Sequence, residues 1–155
     1  MYRHHEESIE KLKEYFCGMK GLIAIVLDGS VVKGNARPDS DVDAIIVVTE
    51  EKFRELEKEN RLAEVITGHC TYEGGYFDIK YKTKRILERA AQYASEPTRN
   101  AFVKARVIYT TDDEIQPIVD KIAAYPEAER LDKRTTPICV RTWRRRSCTA
   151  CTALS

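Results

Sequence analysis

Residues Leu27 to Val48 read LDGSVVKGNARPDSDVDAIIVV, and the reading of this stretch decides the fold. Asp39, Asp41 and Asp43 place three acids within five residues, directly before the apolar run Ala44 to Val48. Charge set against a core is costly unless a counter-charge or a metal offsets it. Side chains two apart on a strand share a face, so a strand over Asp41 to Val48 stands Asp41 and Asp43 side by side. Such a pair suits hard divalent cations, which take oxygen ligands and in paired sites lie about 3.5 to 4 Å apart. Asp39 and Ser40, within ARPDS, read as turn chemistry.

Upstream, Leu22 to Leu27 is a short apolar run with the pattern of a strand covered on both faces. Gly29 and Ser30 follow it, where a chain leaving a sheet turns into a helix. Glycine lets backbone approach a ligand closely, and a hydroxyl beside free N–H groups suits an anion. No Gly-Lys-Ser/Thr follows, so this is not a Walker loop, and it is not a dinucleotide fingerprint. Downstream, YFDIKYKT over Tyr76 to Thr83 puts Tyr76, Asp78, Lys80 and Lys82 on one face and Phe77, Ile79 and Tyr81 on the other. Asp78 is then a third carboxylate on a neighbouring strand, or an ion-pair partner of Lys80. Lys80 reaches a phosphate or pairs with Asp78.

The remaining pattern alternates helices and strands. Ile9, Leu12, Phe16 and Met19 form one stripe of a helix from Glu6 to Met19, closed by Gly18 and Gly21. Thr49 is placed to cap a helix whose first turn holds Glu50 and Glu51. LAEVIT and YFDIKYKT read as two strands joined by a loop with Gly74 and Gly75. A helix is predicted over Thr83 to Ala94, and another from Pro97 to about Ala105. RVIYTTD is a further strand, and the regular part of a last helix is predicted to begin at Pro117 and end near Tyr125. A helix feeding a strand argues for a mixed α/β layer.

With 155 residues the chain supports one core. The domain is expected over residues 1–133, followed by a basic tail over 134–155 that is disordered or frameshifted. Residues 1–133 carry 21 basic and 25 acidic side chains, net −4, which argues against a nucleic-acid partner. The tail holds five Arg, no acid, the only Trp, and Cys139, Cys148 and Cys151. Those cysteines lack the paired spacing of a zinc site, and the tail is assigned no function. Five cysteines at irregular spacing, with no membrane-length apolar run and no signal peptide, fit a reduced, cytoplasmic protein.

Gly29-Ser30, ten intervening residues, Asp41-Val42-Asp43 and the later Phe77-Asp78-Ile79 together resemble the signature of the DNA polymerase β-like nucleotidyltransferase superfamily. GSVVKGNARPDSDVD is similar in particular to its small bacterial antibiotic-modifying and minimal members. The resemblance implies an α/β (α+β) nucleotidyltransferase fold, a twisted mixed β-sheet flanked by helices. It implies an enzyme in which Asp41, Asp43 and Asp78 are catalytic and bind two Mg²⁺ ions, with Asp78 as ligand or general base. Gly29 and Ser30 would hold the β- and γ-phosphates, and Lys80, placed by its strand to reach a phosphate, is counted with them as nucleotide-binding. A nucleoside monophosphate would pass from an NTP, ATP first among them, to a hydroxyl acceptor such as an aminoglycoside-type antibiotic. The alternative is an antitoxin-like minimal nucleotidyltransferase that docks on a partner protein or nucleotidylates it. Antibiotic-modifying members carry a C-terminal helical domain; here either a partner subunit supplies the acceptor pocket or the chain is truncated.

Other reactive side chains carry plainer expectations. His4 and His5 are read as solvated, His69 and Cys70 as loop residues, and Lys33 and Arg37 as surface charge. Tyr72, Tyr76, Tyr81 and Tyr93 are read as packing residues.

Overall fold

The first helix starts earlier than its apolar stripe suggests. In the computed structural model, which describes residues 1–124, α1 spans Arg3–Phe16 because the Tyr2 carbonyl accepts from the His5 and Glu6 N–H groups. The stripe Ile9, Leu12, Phe16 therefore gains His5, which is fully buried rather than solvated. Met19 lies beyond the helix, its N–H donating to the Phe16 carbonyl at 2.9 Å.

Strand β1 (Leu22–Leu27) runs into the short helix α2 (Gly29–Lys33), and β2 (Val42–Val48) returns antiparallel to β1. Helix α3 (Glu50–Lys58) and the edge strand β3 (Ala63–Thr67) lead to β4 (Tyr76–Thr83), which lies parallel to β2. Helices α4 (Lys84–Tyr93) and α5 (Glu96–Phe102), strand β5 (Arg106–Thr110) and helix α6 (Ile115–Ala123) complete the described residues. The five-stranded mixed sheet has the order β3-β4-β2-β1-β5. Pro117 does not delay α6, which begins two residues earlier; in the first turn the N–H that proline lacks has no helical partner anyway.

The sheet lies between two helical layers. Ile25, Leu27, Ala44, Ile46, Phe77 and Ile79 pack under α1, α2 and α3 on one face. Ala24, Val26, Ile45 and Val47 meet Leu87, Phe102, Ile115, Val119 and Ile122 of α4, α5 and α6 on the other. Burying each large apolar side chain contributes about 1.5–3 kcal/mol, so the central strands β1 and β2 anchor the fold. Asp41, Asp43, Asp78 and Lys80 share the second face by strand parity, at the end the helices leave open to water. The expected boundary at 133 and the tail lie outside the described residues, and no described helix is long and apolar enough to cross a membrane.

Candidate active site

The site is built where two strands end. Asp28 donates its N–H to the Asp43 carbonyl at 3.2 Å, joining the end of β1 to the start of β2. Gly29 then takes φ +73°, and a Cβ there would lie 2.6 Å from Asp43 Cγ. Only glycine meets both demands, the left-handed backbone and the vacant space over the carboxylate. Ser30 stands in the first turn of α2, and Gly34 ends that helix at φ +82°.

Parallel pairing in register sets Asp43 directly beside Asp78. Asp41 stands one residue before β2, and carboxylate oxygens of Asp41, Asp43 and Asp78 all lie within 4.8 Å of one another. The three are half-buried. Lys80 provides the local cation, its Nζ 2.8 Å from Asp78 Oδ2 and 3.9 Å from Asp43 Oδ1. Among the described residues this one ammonium lies against Asp43 and Asp78, and with Asp41 beside them negative charge is left over. Burial, reinforced by the Asp28 and Asp41 carboxylates, pushes Asp43 up to about 6. The hydrogen bond to Asp78 raises Lys80 above the ordinary lysine range. An oxygen-only donor set of this charge and spacing fits a hard divalent cation.

The sequence does not single out Asp28. It is buried, one of its carboxylate oxygens has no hydrogen-bond partner among the described residues, and burial raises its pKa above the usual carboxylate range. The available signal was an acid closing an apolar strand immediately before Gly-Ser. Tyr76 also belongs to the site, since the nearby Asp41 charge holds its phenol above the ordinary range.

Other candidates fall elsewhere. Arg37 pairs with Asp39 at 3.5 Å, and the Ser40 hydroxyl accepts from the Arg37 N–H at 2.9 Å, which is the expected turn chemistry. The Lys33 carbonyl accepts from Lys104, and His69 stacks edge-on against Tyr15. Tyr81 is in the core, whereas Tyr93 is 78 % exposed and packs on nothing central. Tyr72 packs against His4 and His5 beside the turn that leads into Asp41.

Comparison with known proteins bears on this arrangement. The family described as nucleotidyltransferase domain matches residues 9–116, which include every residue of the acidic cluster. Among solved structures, a nucleotidyltransferase-like protein from Exiguobacterium sibiricum 255-15 is 11 % identical over 81 % of this chain and 41 % of that one, with a TM-score of 0.48. A chain from a toxin-antitoxin structure with AMP-PNP is 15 % identical over 83 % of this chain and 90 % of that one, with a TM-score of 0.38. The chain thus spans about two fifths of the first of these structures. No curated protein matches the sequence.

Proposed function

The chain belongs to the nucleotidyltransferase domain family, and from that premise we propose that it transfers a nucleoside monophosphate from an NTP, ATP in first place, to a hydroxyl acceptor. The observation that carries this reading is the cluster of Asp41, Asp43 and Asp78 oxygens within 4.8 Å, placed beside the Gly29-Ser30 turn. The three carboxylates would hold two Mg²⁺ ions, which when bound supply Lewis acidity to the phosphate oxygens.

The chain's own groups have separable tasks in this proposal. The Gly29 backbone and the Ser30 hydroxyl hold the β- and γ-phosphates, and Lys80, released from Asp78, adds a cation to the same phosphates. Asp78 takes the proton of the acceptor hydroxyl as general base, or serves as ligand on the acceptor side. The acceptor oxygen bonds to the α-phosphorus, the bond from that phosphorus to the bridging oxygen breaks, and pyrophosphate leaves. The setting proposed is cytoplasmic, in keeping with Cys17 and Cys70, which are both free thiols.

A small hydroxylated acceptor, of the aminoglycoside type, is the first reading. A protein hydroxyl is the second, and one observation favours it. Val65, the register partner of Asp78, is 60 % exposed on the edge strand β3, so the acceptor side of the triad opens onto a sheet edge. A partner subunit covering that edge would complete a pocket for either acceptor. The test of the nucleotide reading is isothermal titration of ATP, GTP, CTP and UTP in the presence of Mg²⁺. At least one should bind, ATP most tightly, and Asp41→Ala with Asp43→Ala should weaken binding at least tenfold. Binding of none, or binding untouched by the double substitution, would refute it.

A further inference from the structure

Asp41 is the one member of the triad that stands outside a strand, so the position of its carboxylate depends on whatever holds the turn before it. That turn is gripped at two carbonyls. His4 donates from Nε2 to the Pro38 carbonyl at 2.9 Å, and the Tyr72 hydroxyl donates to the Ser40 carbonyl at 2.5 Å. The gripping residues support one another. The Tyr72 ring lies 4.6 Å from the His4 ring and 5.2 Å from that of His5.

The loop that carries Tyr72 is tied to the same end of α1. The Thr71 N–H donates to Ser8 Oγ at 3.0 Å, and the Thr71 hydroxyl donates to the His4 carbonyl at 2.9 Å. Gly75 closes the loop over the ring: a Cβ there would lie 2.6 Å from two Tyr72 ring atoms. The clasp therefore joins α1, the turn before β2 and the loop before β4, segments remote in sequence. Among the described residues neither nitrogen of the buried His5 has a hydrogen-bond partner, and burial, aided by His4, lowers its pKa, so the clasp packs around a neutral imidazole. Burial likewise raises the Tyr72 phenol, which keeps it a donor throughout the physiological range.

We propose that Tyr72, backed by His4 and His5, is a positioning residue for Asp41: by holding the Ser40 carbonyl it sets where the Asp41 carboxylate meets those of Asp43 and Asp78. It thereby tunes the affinity of the triad for a divalent cation. The inference rests on the reading above that the triad binds metal. Its logic is that of any group that orients a ligand from behind, whose loss typically costs about 10- to 100-fold in metal affinity.

The test is isothermal titration of the full chain with MnCl₂ and no nucleotide, alongside thermal melts. Five proteins are compared: wild type, Tyr72→Phe, Gly75→Ala, Tyr81→Phe and Asp41→Asn. Tyr72→Phe keeps the ring and deletes the donor, whereas Gly75→Ala deletes no polar group and pushes the ring away. Both should weaken Mn²⁺ binding about tenfold. Tyr81, whose hydroxyl bonds Glu64 away from the site, is the control for a purely structural role. Its loss should lower the melting temperature and leave Mn²⁺ affinity within twofold. Unchanged affinity in Tyr72→Phe overturns the clasp, whatever Gly75→Ala does; if Tyr72→Phe does not fold, unchanged affinity in Gly75→Ala does so. A weakened Asp41→Asn then leaves the metal reading standing. Absence of Mn²⁺ binding by the wild type removes both.

Discussion

Asp43 has the most consequential environment of any single residue here. Its pKa rises from 3.8 to about 6, first through burial and then through Asp28 and Asp41. Between those two values the folded carboxyl keeps a proton that the unfolded one releases. Without metal, Asp43 therefore costs stability as pH rises from about 4 through 6, with no further change above that range. The shift corresponds to on the order of 2 kcal/mol after allowance for the 21 % of the side chain that water still reaches. His5 acts oppositely: burial lowers its pKa below 6.5, so acid destabilises the fold through it. Asp43→Asn separates the two. In chelator-treated protein, urea unfolding should show the variant more stable than wild type at pH 7.5, with the gap closing toward pH 4.5. A gap independent of pH would rule out this account. At this scale the sequence set Asp41 and Asp43 on one face by strand parity and offered Asp78 as a third carboxylate, which the register of β2 with β4 seats beside Asp43. It concealed Asp28 and His5, because their burial depends on what packs over them. An acid at a strand end and a histidine near an N-terminus look solvated until the neighbouring elements are in place.

The elements were legible to the extent that their boundaries are local chemistry. β1 and β4 fall where alternation and apolar runs put them, and β2 starts one residue after Asp41. The caps are equally direct. Thr49 Oγ1 accepts from the Lys52 N–H, and Thr83 Oγ1 accepts from the Ile86 N–H, each at 3.3 Å, so two strands pass into helices with no intervening loop. α1 is the exception, since no side-chain cap marks its start, and its first turn is held by the Tyr2 carbonyl together with contacts to Thr71 and Pro38. Thr83 is buried, so no water can replace its hydroxyl at the start of α4. Thr83→Ala should cost about 1 kcal/mol, measured as a lower urea midpoint with an unchanged slope. Mg²⁺-dependent nucleotide affinity should stay within twofold, because Thr83 closes the end of β4 away from Asp78 and pairs with Val48 rather than with Asp43. A matching loss of affinity would instead make α4 part of the site.

The whole molecule sets a stable frame around an electrostatically uncomfortable centre. The order β3-β4-β2-β1-β5 was not legible, since the patterning of a strand shows how many of its faces are buried but not which strand lies beside it. That order matters because it seats Asp43 and Asp78 on adjacent strands, where the close cation among the described residues is the 44 % exposed Lys80. The frame holds together with the lysine in place, and on the proposed function a metal ion would have to compete with it. Lys80→Met should lower stability in chelator at pH 7.5 by at most about 1 kcal/mol, as fits a partly exposed ion pair. The same variant should bind Mg²⁺ more tightly, because no ammonium has to leave. In thermal melts the wild type should gain about 2.7 kcal/mol at a hundredfold excess of Mg²⁺ over its Kd, roughly 8 °C for a domain of this size. At equal Mg²⁺, Lys80→Met should gain more than wild type, and NaCl of the same ionic strength should reproduce neither rise, since partly buried charges are weakly screened. At pH 5, below the pKa of Asp43, a proton takes over part of the role of the lysine and the difference between the two proteins should shrink. Equal Mg²⁺ responses at pH 7.5 would mean that Lys80 does not occupy the place the cation takes.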